Sequence, residues 1–467
     1  MALRNYYDQI DKYIVRAELA GPLHVGSASG DPEEILIHGA DGKPFVQASG
    51  IAGVLRAAYR QNYEGEEDFL FGGSSGDEYN ESRIKISDGV FTDNKDLKLE
   101  LRPHLKLDPE TGTVGSGATK GSSGDSGYKF NMEYISAGAE LCFDVVLFGR
   151  ADSDKDFHAR ISGILNAIEN RAIQFGGKKS NGCGYLNINH IFYRRFNLLD
   201  EKDRGDWIAE VRPENPEKAG YRELTGEEMS AGAVDNRAFE IVVTGRTESG
   251  MLVRGTGITD YKSGESPDQM NIRNGKGEFI LPGSSFKGTL RSRMTQIASY
   301  ISGANGIDLS DVVENTFGST EPGEDSITGN LRVTDTVVGE VESNLAQRIQ
   351  YHVHLDKFTG GVMNGSLFSK KVCAGDMALK MSVLDRHEPE RTLGLLVFAL
   401  RDLAAGEINL GSGYASGLGF MKIETIEIKQ TSTGKNAVIN VAENRIEDED
   451  EIIARCIQSL SKGEDPK

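Results

Sequence analysis

The feature that most constrains this 467-residue chain is an internal duplication. Two Gly-rich segments expose it. Phe175-Gly-Gly-Lys-Lys-Ser-Asn-Gly-Cys-Gly-Tyr185 and Leu410-Gly-Ser-Gly-Tyr-Ala-Ser-Gly-Leu-Gly-Phe420 share an apolar-Gly start and a Gly-x-Gly-aromatic end, so Gly182 and Gly184 fall on Gly417 and Gly419 at a shift of 235. The same shift takes Ser49, Gly53, Leu55 and Arg56 to Ser284, Gly288, Leu290 and Arg291. His104, Asp108, Thr111, Gly112 and Val114 lie over His352, Asp356, Thr359, Gly360 and Val362 at a shift of 248, and Leu23 and Gly26 lie over Leu252 and Gly255. Four blocks repeated in one order mean two copies of one folding unit.

Boundaries follow from composition. Residues 1–205 form the first unit, the polar stretch 206–235 reads as a linker, 236–430 form the second unit, and 431–467 form an acidic tail with helical periodicity over 446–460. Each unit opens with a β-rich strand (13–20; 239–245). A helix follows (50–61; 284–300), where Leu290, Met294 and Ile297 keep near-helical spacing behind an N-cap at Ser284 or Ser285. A strand-rich region leads to a second amphipathic helix (157–173; 391–405), with Ile161, Ile164, Leu165 and Ile168 on one stripe. The Gly-rich loop and a last strand (185–191; 420–428) close the unit. Strand, helix, strands, helix, strand is the α+β ferredoxin-like pattern shared by RNA-recognition modules.

Several classes are excluded. No apolar run approaches the ~18 residues of a membrane span, and the first residues lack the apolar stretch of a secretory signal, so a cytoplasmic protein is expected. Cys142, Cys183, Cys373 and Cys456 stand alone, which argues against a zinc site or a disulfide framework. The net charge of -19 argues against a non-specific nucleic-acid binder. The repeated motifs reverse that locally. Residues 47–61, 175–189, 281–296 and 408–423 contain no Asp or Glu where about nine would be expected at the chain average, yet they hold Arg56, Arg60, Lys178, Lys179, Lys287, Arg291, Arg293 and Lys422. Gly-rich loops beside helix N-termini suit anions, because backbone N–H groups can approach phosphate there. A nucleotide P-loop is excluded, since Lys287 precedes Gly288 instead of following a glycine.

The stretch Phe279-Ile-Leu-Pro-Gly-Ser-Ser-Phe-Lys-Gly-Thr-Leu-Arg-Ser-Arg293, with Leu355-Asp-Lys-Phe-Thr-Gly-Gly361, Gly365-Ser-Leu-Phe368 and residues 411–419, resembles the RAMP superfamily, and most of all the backbone subunits of type III CRISPR RNA-guided effector complexes. The first copy is degenerate: Gln47-Ala-Ser-Gly-Ile-Ala-Gly-Val-Leu-Arg56 lacks the lysine. Two such units in one chain resemble the tandem backbone subunit of subtype III-D. The resemblance implies two ferredoxin-like RAMP domains with β-hairpin thumb insertions, near 104–128 and 352–371. It implies guide-RNA contacts from Ser284, Ser285, Lys287, Arg291, Arg293, Ser49, Arg56, Lys178, Lys179, Gly182, Gly184, Gly413, Gly417 and Gly419, with His104 and His352 at the thumb bases. The thumb would displace one base pair of the guide–target duplex. A loop Asp would then cut target RNA with Mg²⁺ or Mn²⁺. Asp268 matches in the second copy, with Asp260 a weaker rival. Asp31, whose register is offset and which precedes Pro32, is the candidate in the first. Expected partners are guide crRNA, target RNA, neighbouring RAMP backbone proteins and the large signalling subunit. Two rivals remain: a non-catalytic RNA-binding subunit, and a guide-processing endoribonuclease, against which two complete Gly-rich loops argue.

Overall fold

The computed structural model describes residues 7–26, 33–34, 36–75, 78–92, 97–105, 129–154, 156–209, 212–213, 215–230, 235–256, 266–319, 326–339 and 349–461. Period-two burial builds each sheet. Tyr13, Val15, Ala17 and Leu19 of the opening strand Gln9–Leu19 are buried in one core, and Phe239, Ile241 and Val243 of Arg237–Met251 are buried in the other.

Both opening strands are central. Gln9–Leu19 pairs antiparallel with Leu186–Asn197 on one side and Glu140–Gly149 on the other, and Ile84–Ile86 lies beyond Glu140–Gly149. Arg237–Met251 likewise lies between Lys422–Gln430 and Cys373–Leu384, with Leu331–Val333 outermost. In chain order this is the 4-1-3-2 antiparallel sheet of a ferredoxin-like unit, formed twice. A bulge recurs at matching places where the opening strand meets the closing strand, between Arg16 and Ala17 and between Thr244 and Gly245.

Two helices cover each sheet: Ala48–Asn62 and Phe157–Glu169, then Gly283–Asn305 and Pro389–Ala404. The expected stripe of Ile161, Ile164, Leu165 and Ile168 is buried, as are Leu290, Met294 and Ile297. The capping differs from the sequence reading. Pro282, not a serine, is the N-cap of Gly283–Asn305, and the helix start is capped from a distance by Asp335.

Residues 206–235, read above as a linker, carry structure of their own. Arg222–Glu223 adds a strand beside Leu186–Asn197, and Tyr221 and Leu224 are buried against the first unit. The tail adds strands Asn436–Asn440 and Arg445–Glu447 to the second sheet before a helix at Ile452–Ser459. That helix lies tight on Pro389–Ala404: a side chain at Gly394 would come within 2.3 Å of the Cys456 carbonyl. No described helix is long and apolar enough to cross a membrane.

Candidate nucleic-acid interface

The helix starts and Gly-rich loops are less open to anions than their sequences suggest. A carboxylate already sits at each first turn: Ala48 N–H donates to Asp88 Oδ1 (2.7 Å), and Gly283 N–H donates to Asp335 Oδ1 (2.9 Å). The loops are latched turns. Phe175 N–H donates to the Gly184 carbonyl (2.9 Å) and Leu410 N–H to that of Gly419 (2.8 Å), while Gly184 and Gly419 donate to Pro22 and Gly250. Gly184 and Gly419 have positive φ (81° and 84°), and any Cβ there would lie 1.9 or 2.1 Å from the Phe175 or Leu410 carbonyl oxygen. Gly182, Gly413 and Gly417 also have positive φ. These glycines serve the turn, and the case for RNA shifts to the cationic side chains.

Those cations gather where the copies meet. Lys287 Nζ reaches the Phe317 carbonyl (3.5 Å), Arg291 donates to Gly318 (3.3 Å), and Arg332 and Arg386 both donate to the Gly329 carbonyl (2.8 and 2.7 Å). All four partners are carbonyls. Among the described residues none of the four forms an ion pair, and the buried Arg332 Nε–H has no acceptor. Burial, then the charges of Arg332 and Arg291, push the Lys287 ammonium down to about 7. Burial, then Arg386, pushes Arg332 down to about 10. Lys179, from the first copy's Gly-rich loop, is also lowered, first by burial and then by Arg332. Glu314 acts on Arg291 from a distance, but cations without an ion pair and with lowered pKa values are poised to accept an anion. Arg332 also lines a cleft of about 560 Å³ between the copies, with Arg171, Lys380 and the Arg237 and Lys429 that pair with Glu240.

The other basic candidates are engaged elsewhere. Arg56 pairs with Asp68, and Arg293 donates to Asp402 Oδ2 (2.7 Å) on the neighbouring helix. Lys178 sits over the Phe130 ring. Ser49 is exposed, and Ser284 and Ser285 are half-buried at their helix starts. The sequence reading missed Arg332 and Arg386, which no repeated motif marks.

Each copy also builds the base of a thumb. In the first copy Leu99–Leu105 pairs with Lys129–Ile135, and the intervening 106–128 lie outside the described residues. In the second, Gln350–His352 pairs with Phe368–Lys371. His104 stacks on Phe130 (5.3 Å, 14°) and His352 on Phe368 (5.3 Å, 17°), so the recurring histidines fix the thumb bases by packing. The repeated Asp-x-x-Thr-Gly has a cause: Asp356 Oδ1 accepts from the N–H groups of Phe358 and Thr359 (3.0 and 2.8 Å) and from Thr359 Oγ1 (3.0 Å). This turn holds Phe358 95% exposed, and Tyr351, Val353, Leu355, Val362, Met363 and Leu367 are exposed as well.

Asp268 stands at the foot of that thumb. Its Oδ2 accepts from Ser369 N–H (2.7 Å) and Oγ (2.9 Å), and its own N–H donates to Ser369 Oγ (3.0 Å). The bonds from Ser369 hold the exposed carboxyl below its ordinary range. Oδ1 accepts no hydrogen bond from a described residue. Among the described residues no three His, Cys, Asp or Glu cluster as a metal cage. A divalent ion at Asp268 would take that one described carboxylate and would need phosphate and water to complete its shell.

Asp31 and Asp260 lie outside the described residues. The backbone register nevertheless identifies the first-copy counterpart of Asp268. Gln269–Met270 runs parallel to the thumb with Gln269 opposite Lys370, and in the first copy Glu34 lies opposite Met132. With Phe130 matched to Phe368 by the His stacks, Lys370 matches Met132, Ser369 matches Asn131, and Asp268 matches Glu33. Ile37 N–H donates to Val25 (2.9 Å) as Ile272 N–H does to Val253 (2.8 Å), which keeps Ile37 on Ile272 but corrects the opening block of the duplication by one residue, Gly26 falling on Arg254. The signal was in the sequence, because the shift of 235 that joins Ser49 to Ser284 also joins Glu33 to Asp268.

A search of curated proteins finds no match. A family profile described as RAMP superfamily matches residues 16–187 and 242–422, one match for each folded unit. The chain belongs to the RAMP superfamily, as a tandem member, and so stands among the CRISPR-associated RNA-binding proteins.

Proposed function

We propose that this chain is a two-unit backbone subunit of a type III CRISPR effector complex, of the III-D kind, that holds guide crRNA and cuts the complementary target RNA. The supporting observation is the hydrogen-bonded placement of Asp268 against the thumb's return strand, beside an apolar thumb and in the copy that carries the cation patch.

In this reading Lys287, Arg291, Arg332 and Lys179 hold successive guide phosphates, leaving base pairing to select the target. Phe358 and its apolar neighbours enter the duplex and turn one target nucleotide out of the stack, at a cost of a few kcal/mol. Asp268, kept ionised by Ser369, faces the exposed linkage with its open Oδ1 and orients the ribose 2′-hydroxyl, which DNA lacks. Bound at Asp268, Mg²⁺ would neutralise charge developing on the scissile phosphate.

Guide binding tests the first half. Lys287→Ala should weaken binding of guide RNA by roughly tenfold and lower the salt slope by about 0.7. Because a bound phosphate raises the lysine pKa from about 7, binding takes up a proton. Affinity should therefore be flat below pH 6 and fall by up to about tenfold per unit above pH 7. Lys287→Arg should remove that pH dependence. An unchanged salt slope and pH profile in Lys287→Ala would place the guide elsewhere. Cleavage by the assembled complex should stop on chelation of Mg²⁺.

A further inference from the structure

The seam between the copies joins two unlike surfaces. One is the first copy's thumb-base strand. The other is the second copy's helix start with the turn at 274–278. Arg102, buried, donates to Asp335 Oδ2 (2.6 Å) while also pairing with Glu100 (2.6 Å) in its own strand. Glu100 Oε1 accepts from Gly275 N–H (2.8 Å), and the Leu101 carbonyl accepts from Thr256 Oγ1 (3.1 Å).

The surface gripped on the second copy exists again on the first. Asp88 caps Ala48 as Asp335 caps Gly283. The turn that closes with Gly39 N–H on Lys43 (2.8 Å) repeats the one that closes with Asn274 N–H on Glu278 (2.9 Å). Here, however, Asp88 is exposed and forms no ion pair with any described residue. A head-to-tail contact never closes within two copies, so it leaves one acceptor surface over.

We infer that Asp88 is a socket for an arginine presented by the thumb-base strand of a different chain built on the same repeat. A second copy of this chain does not supply it. Arg102 lies opposite Met132 two pairs from the His104–Phe130 pair, and Gln350 lies opposite Lys370 two pairs from His352–Phe368. Gln350 therefore stands where Arg102 stands and brings no charge to a carboxylate. Lys370 across from it is buried against the Phe368 ring of its own copy (5.2 Å). The net charge of -19 further opposes self-association. The inference is independent of RNA cleavage.

Sedimentation of the full-length chain tests it. The wild type should stay a 50.8 kDa monomer. Gln350→Arg should self-associate at least about tenfold more tightly, the control Gln350→Glu should not, and adding Asp88→Asn to Gln350→Arg should restore the monomer. Asparagine keeps an acceptor for Ala48 N–H, so the helix cap survives. A monomeric Gln350→Arg, association of Gln350→Glu to the same degree, or persistence in the double variant would overturn the socket. Wild-type association dispersed by Asp88→Asn would overturn the assignment of a different chain as its occupant.

Discussion

Alanine at Asp268 should erase one cut in the target RNA, slowing that position by about 10²–10⁴-fold while guide and target binding persist. The assembled complex with Mg²⁺ and one end-labelled target reads this directly. Glu33→Ala should erase a different single cut, and Asp31→Ala should leave the pattern unchanged. A silent Glu33→Ala would make the first copy a scaffold. A silent Asp268→Ala would move attention to Asp260, and cuts that survive every one of these changes would assign cleavage to another subunit. Ser369→Ala supplies a graded version. Alanine keeps the backbone N–H bond to Oδ2 and loses only the Oγ bond, so the Asp268 carboxyl rises part of the way toward its ordinary range and the acid limb of the rate profile should move modestly to higher pH. The rate above that limb depends only on the geometry that Ser369 supports, and Ser369→Thr should restore both.

Arg102→Ala should be the most damaging substitution for stability. It leaves Glu100 and Asp335 without their cation in a buried seam, a loss of about 3–5 kcal/mol. The transition of the weaker copy should fall by roughly 10 °C in calorimetry, given about 2–4 °C per kcal/mol for units of this size. Proteolysis should then open the chain between its halves. Asp335→Asn in the same background should cost less than the two single losses summed, because the contact is already gone.

Much of the fold was legible in the sequence. The helices, the central opening strands and both Gly-rich turns lie within a few residues of their sequence-based positions, because each rests on local periodicity or on glycines at positive φ. What was not legible depends on contacts distant in sequence. The cap at Gly283 comes from Asp335, and Arg332 and Arg386 meet over the Gly329 carbonyl from separate elements. Neither leaves a local pattern. Glu33 is hidden for another reason: it matches Asp268 by the register of the duplication and not by chemical identity, since glutamate stands where the second copy has aspartate. Residues 206–235 looked like a linker because the stretch is mostly polar and charged, yet Tyr221 and Leu224 are buried and Trp207 packs on Phe196, which docks it on the first unit.

The buried Arg102–Asp335 seam has a metric consequence. In the proposed function, cutting groups carried by units that cannot slide past one another would keep a constant separation, and the chain would act as a calliper laid along the guide. The interval between its two cuts should be a property of the protein alone. Lengthening or changing the guide would move both positions together and leave the fragment between them the same size.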